Sequence, residues 1–278
     1  RQILICAEKR ISQQTDKWPD QSRTCELCGT LRKQASSFVM KHFYALITLI
    51  LTLTFVLSPA LTSPFSGFRA DHLPIPQIDP PVQPAGYAFA IWGLIYGWLV
   101  VSAVFGIWKR GSDAGWDRAR LPLIVSLGVG TPWLAVANDS AIWATIMIFV
   151  MAIGAILALI RAPKSDYWMF KVPVGIYAGW LTAASFVSLG STAAGYGLLT
   201  DQMGWAYLGI IGALALAAVV MLRTAAPSYG LTVVWALVAI IVANQLQNGT
   251  VSALAAGGIA ILIALIVLTR PNARLHPF

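Results

Sequence analysis

The sequence predicts an all-α integral membrane protein, an eight-helix bundle, and three observations carry that prediction. Apolar residues make up 58% of the 278-residue chain and charged residues 11%, with a mean hydropathy of +0.72. A soluble domain has roughly 45–50% apolar and about 25% charged residues. So few charges cannot cover a water-exposed surface, which excludes an ordinary soluble enzyme, a disordered chain and a collagen-like fibre. Eight stretches are also long and apolar enough to cross a bilayer, each approaching the 20 or so residues a span requires. Finally, the Lys and Arg residues alternate between loops as membrane-spanning topology demands. The formal charge of +8 sits in those loops and not on one basic face, so a nucleic-acid partner is not expected.

Residues 1–39 are a different kind of sequence. They hold seven Lys or Arg, four Asp or Glu, and all three cysteines, Cys6, Cys25 and Cys28. Met40 precedes Lys41-His42 and an apolar run, which suggests a start there and a non-native or disordered extension before it. Cys25-Glu26-Leu27-Cys28 has the spacing of half a zinc site, but a structural zinc site wants four ligands and no second pair follows. A redox pair would need a thioredoxin-like context, which is absent.

The spans are expected at roughly 42–60, 86–108, 121–138, 141–161, 171–190, 204–223, 230–247 and 250–269, none with an interior ionisable residue. The first has a rival reading as a cleaved signal peptide ending near Ser58-Pro59-Ala60, although its apolar run is long for one. The third is interrupted by Gly128, Gly130 and Pro132, and Asn248-Gly249 makes a tight turn between the last two. With both termini in the cytoplasm, the inside segments carry 18 Lys or Arg and the outside loops only Arg69. This assigns a multi-pass protein of a plasma (bacterial inner) membrane, with anionic lipid facing its basic loops. The outer loop from Leu61 to Ala85 is proline-rich and therefore extended and stiff. It suits a lid or a spacer equally well.

An ionisable residue inside the membrane is the default functional pointer, and none is expected here. That argues against a carboxylate-relay transporter and an intramembrane metalloprotease. His42, His72 and His276 lie at edges and in the tail, so no serine has a base to activate it. No catalytic residue, metal or certain cofactor is assigned. The remaining signal is tryptophan, with 11 in the chain. Trp108, Trp116, Trp168 and Trp205 suit the membrane interface, where one ring edge is apolar and the other hydrogen-bonds. Others do not. Phe89, Trp92 and Tyr96 lie three and four apart and share a helix face, Tyr177 and Trp180 lie three apart, and Trp133 and Trp143 flank a short outer loop. If these faces converge they form an aromatic cavity for a flat apolar ligand; otherwise they are ordinary ring packing between helices. Gly93 and Gly97, and Gly175 and Gly179, allow close helix approach, either within the chain or across a homodimer. Asn244, Gln245, Gln247 and Asn248 form a polar end to the seventh span, suited to headgroups or to a polar entrance.

Pro84-Ala-Gly-Tyr-Ala-Phe89-Ala-Ile-Trp92-Gly-Leu-Ile-Tyr96 resembles the second-span signature of the TspO/MBR family, the tryptophan-rich sensory proteins and translocator proteins. Tyr177-Ala-Gly-Trp180-Leu-Thr-Ala-Ala184 resembles its fifth span, Trp143-Ala144 the opening of its fourth, and Pro132-Trp133 its third. The Phe89–Trp92 interval is one residue shorter than in that family, and its proline there is missing. The family's asparagines in the third and fifth spans fall near Gly130 and at Ser188. The resemblance covers about 41–190, so residues 40–190 read as a TspO-like five-helix domain and 191–278 as three additional helices of a longer, divergent branch. It implies a non-enzymatic sensor or binder of an apolar ligand, with a porphyrin or haem-type molecule among the candidates. The ligand would be held by Phe89, Trp92, Tyr96, Trp133, Trp143, Tyr177 and Trp180. The rivals are a small-solute permease, and a tetrapyrrole- or lipid-modifying enzyme using Asp79, Asp139 or Asp201.

Overall fold

A computed structural model of the chain describes residues 42–63, 65, 67–69, 72–244 and 247–269. The chain divides into two compact units, Arg1–Phe43 and Tyr44–Phe278. The expected extension 1–39 and its cysteine pair lie outside the described residues.

Among those residues, eight helices are long and apolar enough to cross a membrane. They are α1 (His42–Leu61), α2 (Ile91–Arg110), α3 (Ala114–Asp139), α4 (Ala141–Ile160), α5 (Val172–Gly195), α6 (Gln202–Thr224), α7 (Pro227–Asn244) and α8 (Gly249–Leu268). The protein is an all-α multi-pass membrane bundle. A 3₁₀ turn, Gly86–Ala90, leads into α2, and a π turn, Tyr167–Lys171, leads into α5. Successive spans run in opposite directions, so the connections gather at two ends. One end collects 111–113, 161–166 and 225–226 with their flanking Lys and Arg; it is called the basic end below. The other collects 62–85, Ser140, 196–201 and 245–248.

Helix α5 is the centre. Its neighbours are α2, α4, α6 and α7, and 20 of its 24 residues are buried. Its sequence explains this: Gly, Ala, Ser and Thr on every face let four helices approach closely. At Gly179 a Cβ would stand 2.5 Å from the Tyr229 carbonyl oxygen of α7, so only glycine allows that contact. The Gly175/Gly179 face, open to either reading from sequence, is thus consumed within the chain. Gly93 and Gly97 on α2 have no neighbour within 4 Å of a would-be Cβ. Helix α8 closes the bundle against α6 and α7 and buries only 28% of its span against 78% for the α5 span.

Helix α3 begins seven residues before the expected 121. Asp113 caps it, its carboxylate accepting from the Gly115 and Trp116 amides. The helix then runs unbroken through Pro122 and Pro132. A hydroxyl bond from Thr131 to the Leu127 carbonyl serves this stretch, and neighbouring helices tolerate such prolines in a bilayer. The longer helix overturns two expectations. Trp116 is not an interfacial ring but 2% exposed, and Arg120 is not a loop charge but 1% exposed. Arg120 donates to the Gly106 and Arg110 carbonyls at 2.8 and 3.1 Å and to Asp117 at 2.6 Å.

Candidate functional site

Near the non-basic end the helices leave a cavity of about 220 Å³. Phe55 of α1, Phe89 of the 3₁₀ turn, Trp92 and Tyr96 of α2, Trp133 of α3 and Trp180 of α5 supply its aromatic wall. The three- and four-residue spacing of Phe89, Trp92 and Tyr96 puts all three on the inward face, as expected. Trp92 stacks on Tyr96, with centroids 5.2 Å apart and planes at 26°. Trp180 meets Phe89 and Trp92 edge to face at 5.8 and 6.2 Å, and Phe55 meets Trp92 and Tyr96 the same way at 6.0 and 5.4 Å. Edge-to-face rings align the positive rim of one with the negative face of the next. A hollow remains beside these rings.

The other two expected residues lie elsewhere. Trp143 does not line the cavity and is 62% exposed near the start of α4, where Ser140 caps the helix. Tyr177 is fully buried one layer away, packed against Phe55 at 5.7 Å, with its hydroxyl on Ser126 at 3.0 Å. Five lining residues escape sequence reasoning. Phe55 sits in a uniformly apolar span, where one aromatic carries no phase. Phe65 and Phe68 lie in an irregular segment with no period at all. Ser188 and Ser191 are small residues on a buried helix.

The loop before α2 covers the cavity. Phe65 stands edge to face on Trp133 at 5.3 Å and on Phe68 at 5.7 Å. Asn138 of α3 donates to the Ser63 carbonyl at 3.2 Å. Gln83 and Pro84 complete the cover. Gly67, at φ +131°, accepts a backbone shape closed to other residues, and a Cβ there would meet the Gln83 amide at 2.9 Å. Trp133 is held by its indole N–H on the Ala144 carbonyl at 2.9 Å. Trp180, 3% exposed, keeps its buried indole N–H without an acceptor.

The lining is nearly all apolar, with hydroxyls, the Gln83 amide and indole N–H groups as its polar atoms. None of the described lining residues is charged. Asp201 caps α6 by accepting from the Gly204 amide, while Asp79 and Asp139 are exposed, and none of the three lines the cavity. Among the described residues no cluster of His, Cys, Asp or Glu could hold a metal ion.

Comparison with known proteins adds one match. No curated protein and no solved structure matches the chain. A family model described as TSPO-like protein matches residues 42–268, which takes in all eight helices and not only the first five. With the aromatic second and fifth spans facing each other across one cavity, this chain belongs to the TSPO-like protein family.

Proposed function

We propose that the chain is a non-enzymatic membrane binding protein, of the sensor type, for a small, flat, uncharged apolar ligand held in the aromatic cavity. The observation that carries this is the cavity itself: unfilled volume enclosed by Phe55, Phe89, Trp92, Tyr96, Trp133 and Trp180, without one charged lining residue among those described. A buried carboxylate without a cation costs several kcal/mol, so an anion gains nothing from entering. Ring stacking and burial supply the affinity instead.

Size narrows the ligand further. Pockets for drug-sized molecules run about 300–1,000 Å³, and this one is smaller, at about 220 Å³. A two- or three-ring heterocycle suits it. A porphyrin or haem, with four pyrroles and two carboxylates, suits neither its volume nor its neutrality and would require the cover to be displaced. No carboxylate or histidine stands among the described lining residues, and Asp79, Asp139 and Asp201 lie elsewhere. Which face of the membrane the cavity opens toward follows, in this reading, from the positive-inside rule, which puts it on the outer side.

Titrating the full chain in detergent with acridone, a neutral planar ketone, tests the reading through tryptophan quenching. Saturable quenching is expected, with acridone-10-acetate and protoporphyrin at least tenfold weaker, and it should vanish in the Trp92→Ala, Trp180→Ala double variant. Linear quenching that the double variant leaves unchanged would overturn it.

A further inference from the structure

The three helices beyond the first five contribute to the cavity through α7. The segment Pro81–Ala88 makes three long-range hydrogen bonds to α7. Asn244 Nδ2 donates to the Pro81 carbonyl at 2.8 Å, the Ala85 amide donates to the Ala239 carbonyl at 3.0 Å, and Trp235 Nε1 donates to the Ala88 carbonyl at 3.1 Å. The residues so held alternate with residues that line the cavity: Gln83 and Pro84 lie between the first and second bonds, and Phe89 follows the third. Ala236, on α7 itself, is also part of the lining. Tyr87 packs edge to face on Trp235 at 5.5 Å.

Asn244 is 2% exposed and its amide is fully committed. It also donates to the Ile240 carbonyl at 2.9 Å and accepts from Asn248 at 2.9 Å. Of the polar cluster at the end of the seventh span, Asn244 and Asn248 are thus turned to internal partners, Gln247 is exposed, and Gln245 lies outside the described residues. Pro81 follows Pro80 and has no N–H, so its carbonyl is the one hydrogen-bonding group its backbone offers. Its own turns, with the Gln83 amide donating to the Pro80 carbonyl at 2.8 Å and the Ala88 amide to the Ala85 carbonyl at 2.9 Å, shape the segment but do not tie it to the bundle; the three bonds to α7 do.

We propose that α7 is the hinge post of the cavity cover. Asn244 and Trp235 are positioning residues that fix Gln83, Pro84 and Phe89 over the cavity and thereby set the rate at which a ligand enters and leaves. This rests on the cavity being the binding site. Its test, however, reads access to the cavity without any ligand, so the two ideas fail separately.

In the full chain with Cys6, Cys25 and Cys28 changed to Ser, Ala184→Cys places one thiol on the cavity wall. Its rate of modification by a water-soluble, charged methanethiosulfonate is measured in detergent. Adding Asn244→Leu, which removes the donor to Pro81 while keeping the number of side-chain heavy atoms, should accelerate labelling at least tenfold. Trp235→Phe, which removes only the indole N–H and part of a ring, should accelerate it about threefold. Ser252→Ala on α8, which removes a buried hydroxyl without a hydrogen-bond partner, should leave it unchanged. If Asn244→Leu elutes as aggregate, Trp235→Phe carries the test. Labelling within 1.5-fold of the parent in Trp235→Phe, and in Asn244→Leu where that folds, overturns the proposal. So does equal acceleration by Ser252→Ala. If acridone binds the parent, its dissociation should accelerate in the same order.

Discussion

At the cavity end Phe55 meets Trp92 and Tyr96 edge to face, Trp180 meets Trp92 the same way, and Trp92 stacks on Tyr96, all around open volume. At the basic end Trp116 and Phe170 meet in the same geometry, closer, at 4.7 Å. There the space beside the rings is taken. Trp116 donates its indole N–H to Asp166 at 3.1 Å, and Arg110 clasps the same carboxylate with two bonds at 2.7 and 3.1 Å. Arg120 lies against the Trp116 ring, its centre 5.2 Å from the ring centroid. Lys171 donates to the Thr224 carbonyl at 2.6 Å and ties α5 to the end of α6. Similar rings thus serve two purposes. Where Asp166, Arg110 and Arg120 engage the Trp116 ring and its N–H, the rings are scaffold. Where rings surround empty volume, they form a receptacle. A buried polar network is worth having only when complete, and the one around Trp116 has its partners.

Removing a member of the complete network should therefore cost most. Arg120→Met keeps the volume but leaves Asp117 and two carbonyls without their donor. Breaking a buried pair from one side costs 3–5 kcal/mol, and the partial exposure of Asp117 places this at about 3 kcal/mol. Unfolding in mixed micelles of increasing SDS fraction reads it. A change below 1 kcal/mol would erase the contrast between the ends.

Asp166 should show a smaller, pH-dependent effect. The Arg110 guanidinium, bonded to it, holds its carboxyl below the usual carboxylate range, and the Trp116 N–H adds to this. A depressed folded value means that the stabilisation is present above the unfolded pKa of about 3.9 and is lost as pH falls through the folded value. Asp166→Asn should lower the melting temperature at pH 7 and make it less sensitive to acid below pH 4. Parallel acid limbs in parent and variant would show the carboxylate to be idle.

The smallest effect belongs to the cavity end. Trp180→Phe deletes a buried donor that has no acceptor. Removing an unsatisfied group costs little or helps, so stability should change by less than about 0.5 kcal/mol. Acridone affinity should nevertheless fall severalfold. A large loss of stability would mean that the N–H already has an essential partner, and the receptacle would then resemble the scaffold end.

How much of this was legible in the sequence depends on whether a feature repeats with a period. All eight spans are, because hydropathy integrates over twenty residues. That Phe89, Trp92 and Tyr96 share one face is, because helical spacing fixes it; whether that face meets Trp180 across a cavity or in ordinary ring packing is not, because spacing within one helix says nothing of its neighbour. The rotation of a helix about its own axis is not, and Trp143 shows it: its place beside the short loop gave depth in the membrane but not direction, and it faces outward. Arg120 and Trp116 were misread because a charge near a span edge resembles a loop until the Asp113 cap extends the helix past it. Phe65 and Phe68 were out of reach because a loop has no period to read. The use of Asn244 was equally hidden, since its partner lies 163 residues away.

That separation has a consequence for biogenesis. Synthesis runs from the N-terminus, so Phe55, Trp92, Trp133 and Trp180 are all translated before Trp235 and Asn244. During that interval the Pro81 and Ala88 carbonyls lack the donors that Asn244 and Trp235 supply, and the Gly175–Gly179 face lacks the Tyr229 backbone it packs against. The receptacle is completed only when α7 arrives, so the last helices to be made finish a wall begun by the first.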